Sequence, residues 1–325
     1  MTSEQIELLS IIVPVYNEKA NLEELSSNLL SVLNDLGHPF EILFVNDGST
    51  DGSGEMLDEL AASATQCKVV HFRRNFGQTA AMMAGLDYSH GDVIVTIDAD
   101  LQNDPEDIPR LLARLNEGYD LVSGWRKNRK DAKLTRNLPS WIANKLISRI
   151  SGVRLNDYGC TLKAYRRSIV DDIRLYGEMH RFLPIYASWA GARTTEMAVS
   201  HNARKSGESK YGLERVFKVP LDLIVVKFLS EYSQKPIYVF GGFGLLCLIA
   251  SLITFLVMLY LKYWGDKSFI ATPLPILAVF FVLMGTISML LGLIAELSVR
   301  TYHESQNKHT YTVRQTVNFD SDDKQ

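Results

Sequence analysis

The sequence of 325 residues predicts a doubly wound α/β domain with a mostly parallel sheet, followed by two membrane helices. Short β-branched, apolar runs alternate with segments of helical period, and polar residues follow each run where it ends. Residues 236–261 and 268–295 contain no charged side chain. Either segment is long enough to cross a hydrocarbon core of about 30 Å as a helix.

The first predicted strand is Leu9 to Tyr16, an almost continuous apolar run typical of a strand that is buried on both faces. A helix is expected over 20–36, where leucines recur on one stripe. The further strands are predicted at 41–46, 68–72, 93–98 and 120–123, and the further helices at 77–88 and 107–117. Strands that alternate with helices at this spacing favour parallel neighbours joined by crossover helices.

Composition and motif content exclude several classes of function. The net charge of −3 gives no global argument for binding nucleic acid. Cys67, Cys160 and Cys247 are too far apart for a zinc pattern or a disulfide framework, which fits a reducing compartment. No G-x-G-x-x-G follows the first strand and no G-x-x-x-x-G-K-[ST] occurs, so neither a dinucleotide fold nor a P-loop is indicated.

A pair of acids, Asp98 and Asp100, ends the buried run at 92–98. Residues two apart in an extended segment share a face, so the two carboxylates can converge. Such hard oxygen ligands suit Mg²⁺ or Mn²⁺ shared with substrate phosphates. The alternative is a helix-capping acidic loop, because residues 103–106 also look like a helix start. Polar residues at the ends of the other predicted strands favour a shared metal and phosphate cleft.

Four motifs at these strand ends resemble the inverting family 2 glycosyltransferases. They are Val13-Pro14-Val15-Tyr16-Asn17-Glu18, Asp47-Gly48-Ser49-Thr50-Asp51, Arg74-Asn75-Phe76-Gly77-Gln78 and Asp98-Ala99-Asp100-Leu101-Gln102. With two carboxyl-terminal membrane helices, the closest branch is the polyprenyl-phosphate hexose synthases, which include dolichyl-phosphate mannose synthase and bactoprenol glucosyltransferases. The family usually reads Leu-Gln-(Asp/His)-Pro-Pro-Glu where this chain has an Asn-Asp-Pro-Glu sequence after Gln102.

The resemblance implies a metal-dependent hexosyltransferase that moves a hexose from a nucleotide diphosphate sugar to polyprenyl (undecaprenyl) phosphate. UDP-glucose is the favoured donor, with GDP-mannose or a UDP-aminosugar as alternatives. The resemblance also assigns residues. It implies that the nucleotide pocket is lined by Pro14, Tyr16, Glu18 and Asp47. It places Asp98 against the nucleotide sugar. The implied ligands of Mg²⁺ or Mn²⁺ are Asp100 and Gln102, with Asp98 close by.

A basic stretch begins at Arg126, just after the strand predicted at 120–123. Because arginine forks bind phosphate through two hydrogen bonds, we expect Arg126 and Arg136, with Ser140, to hold the acceptor phosphate. The resemblance implies the same. The alternative is a basic loop that only touches anionic lipid head groups.

Asp157 stands in a turn at the position where the family places its candidate base. A phosphate monoester has a second pKa of about 6 and needs little help from a base. Asp157 is therefore interpreted as a base or as an orienting anion, with a turn-forming residue as the alternative. Arg204 and Lys210 lie in a basic loop containing Gly and Ser that is expected either to close over the nucleotide diphosphate or to remain solvated.

The predicted organisation has four parts. They are a cytoplasmic catalytic domain over 1–212, an interfacial helix over 213–234, two membrane helices within 235–300 (about 236–261 and 270–296), and a polar, flexible tail over 301–325. Lysines and arginines outside the inter-helix loop favour a multi-pass plasma-membrane protein with both termini in the cytoplasm. Expected partners are the nucleotide sugar, polyprenyl phosphate and the membrane, but no nucleic acid, with a homo-oligomer left open. A processive polysaccharide synthase and a non-enzymatic flippase or transporter subunit are the competing functions.

Overall fold

The computed structural model describes residues 6–127, 147–149, 151–171, 173, 179–202, 237–265, 268–269, 272–305 and 311–319. The strands are β1 Leu9–Val15, β2 Phe40–Asn46, β3 Cys67–Phe72, β4 Val93–Thr96, β5 Leu121–Trp125, β6 Lys163–Arg166, β7 Thr194–Ala198 and β8 Val313–Val317. The helices are α1 Lys19–Leu36, α2 Ser53–Ser63, α3 Gln78–Tyr88, α4 Ile108–Asn116, α5 Arg167–Val170, α6 Leu183–Trp189, α7 Ile237–Tyr263 and α8 Leu274–Ser305.

The described strands form one sheet of eight in the order β7-β5-β6-β4-β1-β2-β3-β8. The pairs β1–β2, β1–β4, β2–β3 and β5–β7 are parallel, whereas β6 runs antiparallel to β4 and β5 and β8 runs antiparallel to β3. The predicted mostly parallel, doubly wound sheet is therefore confirmed. The two reversed strands are additions that strand and helix alternation alone does not predict.

Strand β1 is buried on both faces because helices cover the sheet on either side. Ile11 and Val13 pack in one core with the leucine stripe of α1, while Ile12 packs in the other core with α3. The alanines and methionines of α3 allow this helix to lie close to the sheet. Gly85 marks the closest approach, since a Cβ built there would lie 2.2 Å from Ile12 Cγ2.

The loop after β4 shows how the chain accommodates its departure from the usual family motif. Asp104 caps a short 3₁₀ turn over Pro105–Asp107, and its Oδ1 accepts a hydrogen bond of 3.1 Å from the Glu106 amide. Aspartate is a favoured capping residue and proline a favoured first helical residue. The Asp-Pro pair therefore begins α4 without disturbing the acids that precede it.

The prediction of a flexible tail over 301–325 is wrong for the described part of that segment. Helix α8 continues to Ser305, and residues 313–317 form β8 at the edge of the sheet. The described residues accordingly divide into two compact units, one made of residues before 224 and after 308 and the other of the residues between. The interfacial helix predicted at 213–234 lies outside the described residues.

Helices α7 and α8 contain the spans Phe240–Tyr263 and Leu274–Ala295, which are long and apolar enough to cross a membrane. They touch along small and hydroxyl-bearing residues. Ser251 Oγ donates to the Ala278 carbonyl at 2.9 Å, and Ser288 Oγ donates to the Phe240 carbonyl at 2.7 Å. At the crossing of Gly244 and Gly285, a Cβ on either residue would lie 2.8 Å from the carbonyl oxygen of the other. Such close backbone contact is how helices associate in membranes.

This crossing predicts the outcome of a paired alanine substitution. Gly244→Ala should lower the free energy of unfolding by about 1–3 kcal/mol, because the added methyl group is forced against Gly285. Gly242→Ala is the matched control in the same helix, since a Cβ there meets no atom within 4 Å. Alanine in that position should be neutral or stabilising by at most about 1 kcal/mol. Unfolding of the detergent-purified variants measures both, and equal losses would refute the close crossing.

Candidate active site

The candidate site lies where the parallel strands end. Val15 pairs with Asn46 and Asn46 with His71, so the segments that follow β1, β2 and β3 leave the sheet side by side. Ile12 pairs with Thr96, and the Ile97 amide continues the β1–β4 ladder by donating to the Ile12 carbonyl at 3.1 Å. The predicted gathering of polar strand ends at one edge of the sheet is therefore what the structure shows.

The loops after β1 and β2 are tied together by side chains. The Asn17 amide donates to Ser49 Oγ at 3.0 Å, and Asn17 Oδ1 accepts from the Thr50 amide at 2.8 Å. Asn17 has φ 55°, a conformation that asparagine tolerates better than most residues. The Glu18 amide donates to Ser53 Oγ at 3.1 Å. Pro14, Tyr16 and Glu18, predicted for the nucleotide pocket, are half-buried along this joined rim.

Asp47 anchors the loop after β3. Its carboxylate accepts hydrogen bonds from the Phe76 amide at 2.6 Å and the Gly77 amide at 2.9 Å, and the residue is buried. Gly48 (φ 66°) lies so close to this loop that a Cβ would come within 2.5 Å of the Arg74 carbonyl carbon. The role predicted for Asp47, holding base or ribose, stays a prediction. What the structure adds is that Asp47 fixes the loop after β3.

Asp98 is held by donors from two different elements. Gln78 Nε2, at the start of α3, donates to Oδ1 at 2.8 Å, and Thr161 Oγ1 donates to Oδ2 at 2.6 Å. Removal of the carboxyl group from water, together with the charge of Asp100, raises its pKa to about 6. The Thr161 hydrogen bond, and the positive charges of Arg126 and Lys163, oppose this shift.

A tight turn follows the acid pair. Asp100 is buried and its Oδ1 accepts from the Gln102 amide at 3.1 Å. Leu101 between them has φ 58°, although its side chain is buried, and this left-handed conformation costs about 1–2 kcal/mol for a residue with a Cβ. The Gln102 carbonyl accepts from the Asn202 amide at 2.9 Å, which joins the turn to the segment after β7. Strain of this kind is concentrated at functional sites.

The acid pair fits a divalent cation that substrate oxygens help to bind. Within the described ranges, no group of three or more His, Cys, Asp or Glu side chains is placed to hold a metal alone. Mg²⁺ in proteins that bind phosphates commonly takes only one or two carboxylates and completes its shell with phosphate and water. The repulsion between Asp98 and Asp100 that contributes to the raised pKa of Asp98 is what a cation between them would relieve.

Arg126 and Asp157 form a two-pronged ion pair. Arg126 Nε donates to Asp157 Oδ2 at 2.7 Å and Nη2 donates to Oδ1 at 2.9 Å, while the Gly159 amide also donates to Oδ1 at 3.1 Å. Burial by itself would lower the pKa of Arg126, but the hydrogen bonds and charge of Asp157 raise it above the usual range. A carboxylate held by these donors is a poor proton acceptor, so the geometry favours the orienting role of Asp157 over the basic one.

Lys163 is a site residue that sequence reasoning missed. It is buried in β6 and its ammonium donates to the Cys160 carbonyl, which fixes the turn that carries Asp157 and Thr161. Burial lowers the pKa of Lys163, while the negative charges of Asp157 and Asp98 oppose the shift. The sequence contains one signal for this role, a lysine between Leu162 and Ala164 in a short apolar run. A lysine in a buried strand has to be paired, because lysine is almost never fully buried otherwise.

A second contact that the sequence does not reveal links α3 to the segment before α6. Thr79 Oγ1 lies 2.6 Å from Nδ1 of His180, and both residues are buried. At the start of α3, Gln78 thus contacts Asp98, and the adjacent Thr79 contacts His180. The predicted acceptor residues Arg136 and Ser140, and the predicted loop contacts Arg204 and Lys210, lie outside the described residues and stay predictions.

Comparison with known proteins adds the following. The sequence profile described as Glycosyl transferase family 2 matches residues 10–174. The chain is 41% identical over 317 residues to dodecaprenyl-phosphate galacturonate synthase of Rhizobium johnstonii, covering 94% of this chain and 92% of the relative. It is 38% identical over 317 residues to undecaprenyl-phosphate 4-deoxy-4-formamido-L-arabinose transferase of Shewanella sediminis, covering 96% of this chain and 93% of the relative.

The fold also matches solved structures. Glucosyl-3-phosphoglycerate synthase from Mycobacterium tuberculosis, in complex with Mn²⁺, UDP and glucosyl-3-phosphoglycerate, superimposes with a TM-score of 0.52. That match covers 69% of this chain and 79% of the other at 18% identity, so it shows a shared fold alone.

The Arg126–Asp157 pair predicts a large and specific loss of stability. Asp157→Asn should lower the free energy of unfolding by about 3–5 kcal/mol, because it leaves the largely buried guanidinium of Arg126 without its counter-charge. Asp171→Asn is the control, since Asp171 pairs with Arg167 at 3.4 Å on an exposed surface and such pairs contribute about 0–1 kcal/mol.

Denaturant unfolding of the two variants, of Arg126→Met and of the double variant Arg126→Met/Asp157→Asn tests the assignment. The double variant should lose less than the sum of its single changes, because neither charge is then left alone. Strict additivity, or equal losses for Asp157→Asn and Asp171→Asn, would rule out a tightly coupled buried pair.

Proposed function

Because the chain belongs to glycosyl transferase family 2, we propose that it transfers a sugar from a nucleotide diphosphate sugar to a polyprenyl phosphate. The observation that carries the proposal is the acid pair Asp98 and Asp100 at the carboxyl edge of the sheet, where open α/β sheets bind their ligands. The two relatives, aligned along nearly their whole length, are both named for a polyprenyl phosphate.

The donor sugar expected from the sequence has to be corrected. Glucose was favoured by resemblance, but the relatives are named for galacturonate and for 4-deoxy-4-formamido-L-arabinose. We therefore rank glucose below these two sugars as the donor sugar. Galacturonate is the first candidate, since that relative has the higher identity of the two, and the formamido-arabinose is the second.

The metal is proposed to bind with the donor diphosphate. Asp98, Asp100 and Gln102 would hold Mg²⁺ or Mn²⁺, and the chemistry supplied there is neutralisation of the charge that develops on the departing diphosphate. The complex of the solved neighbour with Mn²⁺ and UDP supports a divalent ion in a fold of this kind. Asp47 contributes by holding the Phe76–Gly77 turn, which forms the other wall of the proposed nucleotide pocket.

Arg126 is proposed to hold the acceptor phosphate together with Arg136 and Ser140. The guanidinium of Arg126 is oriented by Asp157 through Nε and Nη2, so its plane is set before any ligand arrives. Pre-orientation of this sort lowers the entropy lost on binding. Asp157 accordingly acts as the orienting anion of the phosphate subsite, and Arg204 and Lys210 are proposed to contact the diphosphate from the loop after β7.

Membrane attachment is proposed to keep the site at the lipid surface. Helices α7 and α8 are each long enough to span the bilayer. The strand that follows α8 belongs to the same sheet as the strands that precede α7, which supports a helix pair that enters and leaves at one membrane face. With the lysine and arginine distribution, this supports a catalytic domain and both termini in the cytoplasm.

A donor panel tests the proposed reaction. Membranes containing the chain are given radiolabelled UDP-galacturonate, the UDP-linked formamido-arabinose or UDP-glucose together with undecaprenyl phosphate. Label should enter the lipid phase from one of the first two donors at least about tenfold faster than from UDP-glucose. Equal or faster transfer from UDP-glucose would contradict the corrected donor, and no transfer to lipid from any donor would contradict the proposed function.

Metal removal tests the proposed role of the acid pair. A chelator should abolish transfer and added Mn²⁺ should restore it, while Asp100→Asn should weaken Mn²⁺ binding in the presence of UDP by about tenfold or more, because one carboxylate ligand is lost. Electron paramagnetic resonance of Mn²⁺ measures the binding independently of activity. Asp104→Asn is the control four residues away, since asparagine caps a helix as well as aspartate. Full activity of Asp100→Asn in chelator would disprove the metal site.

A further inference from the structure

The carboxyl-terminal strand β8 completes the sheet beside β3. Val317 pairs with Val69, Thr316 with Val70 and Gln315 with His71, and the register shifts before Val313 pairs with Phe72. A sheet edge left open presents unpaired backbone groups. The pattern V-R-Q-T-V suits such an edge position, since Arg314 and Gln315 are exposed while the two valines and Thr316 are half-buried.

Both ends of β8 are fastened to the same unit. Tyr311 is 7% exposed, donates from its hydroxyl to Asp87 Oδ2 at 2.8 Å, and stacks on the ring of Phe72 at 5.0 Å. Asn318 (φ 62°) donates from Nδ2 to the carbonyls of Ala61 at 2.6 Å and Cys67 at 2.9 Å. These contacts specify the position of the strand more closely than the backbone ladder alone.

The amino end of β8 reaches toward the proposed nucleotide pocket through a row of aromatic rings. Tyr311 stacks on Phe72, and Phe72 meets Phe76 edge to face at 5.6 Å with an interplanar angle of 88°. The Phe76 amide is one of the two donors to Asp47. Beside this row, the Thr312 carbonyl accepts a hydrogen bond of 3.1 Å from the Arg73 amide. Arg73 is the first residue of the loop between β3 and α3.

That loop, with the first residue of α3, carries contacts to Asp47 and Asp98. Phe76 and Gly77 donate to Asp47, and Gln78 donates to Asp98. Its far side rests on Gly48, where no Cβ has room. The tail thus contacts the loop directly at Arg73 and, by way of Phe72, reaches Phe76.

We propose that the carboxyl-terminal strand supports the donor site, and that Tyr311 is a positioning residue that sets the affinity for the nucleotide diphosphate. The proposal rests on the function proposed above. Tyr311 touches no residue assigned to substrate. It acts through Phe72 and Phe76, by holding the loop in the conformation in which the Phe76 amide meets Asp47. In the same conformation Gln78, which follows the loop, meets Asp98.

Calorimetry of UDP binding to the full chain in detergent with Mn²⁺ tests the proposal. Tyr311→Ala should raise the Kd about tenfold, whereas Tyr311→Phe, which keeps the ring and loses only the bond to Asp87, should change it by about threefold or less. Gln315→Ala is the matched control, because Gln315 is an exposed side chain in the same strand. Tyr311→Leu keeps apolar bulk without stacking and replaces the alanine variant if that variant does not fold.

Hydrogen exchange separates positioning from general destabilisation. Exchange at the amides of Phe76 and Gly77 should accelerate in Tyr311→Ala and Tyr311→Leu, while the Gly159 amide, which serves Asp157, keeps the rate of the unmodified chain. An unchanged Kd, or equal acceleration at Gly159, overturns the positioning role and leaves the proposed transfer reaction standing. Absence of UDP binding by the unmodified chain overturns this proposal and the UDP-linked donors together.

Discussion

The site depends on one electrostatic constraint, the gathering of three carboxylates where little water remains to screen them. Asp98 lies within electrostatic reach of Asp100, and Asp98 and Asp157 both lie within electrostatic reach of Arg126 at the carboxyl edge of the sheet. Arg126 and Lys163 face them with two positive charges, which leaves a formal charge of −1 when all five groups are ionised. The folded chain can hold this arrangement, but the repulsion within the acid pair persists. A site of this charge is receptive to a cation and, once a cation is bound, to an anionic diphosphate.

The reversed strand β6 is what brings these charges together. Thr96 pairs with Lys163 in antiparallel register, so the amino end of β6 lies at the carboxyl end of β4. The turn that precedes β6, with Asp157 and Thr161, therefore arrives beside Asp98 although about sixty residues separate them in sequence. A parallel β6 would have placed this turn at the opposite edge of the sheet. The topology thus brings Asp157, the threonine donor and the buried lysine together in one short segment.

The sequence predicts the parallel strands and the acid pair for a clear physical reason. Each buried strand is a compact apolar run, and the residues that follow it are polar because they reach the open edge. The same reasoning does not predict the two antiparallel strands, β6 and β8. β6 is only four residues long and contains a lysine and an arginine, and β8 is an edge strand with three consecutive polar residues between two valines. The anchoring role of Asp47 and the contact of Gln78 with Asp98 depend on tertiary contacts that no local pattern encodes.

The pairing of Asp157 with Arg126 is compatible with the proposed reaction, because that reaction requires little base catalysis. A hydroxyl acceptor would need a group to take its proton, and a carboxylate already holding an arginine fork and a backbone amide serves that purpose badly. A phosphate monoester with a second pKa of about 6 arrives largely deprotonated at neutral pH. Its oxygen needs orientation and a reduction of the repulsion from nearby acids, which a pre-oriented guanidinium supplies. The geometry around Asp157 therefore favours a phosphate over a sugar hydroxyl as acceptor.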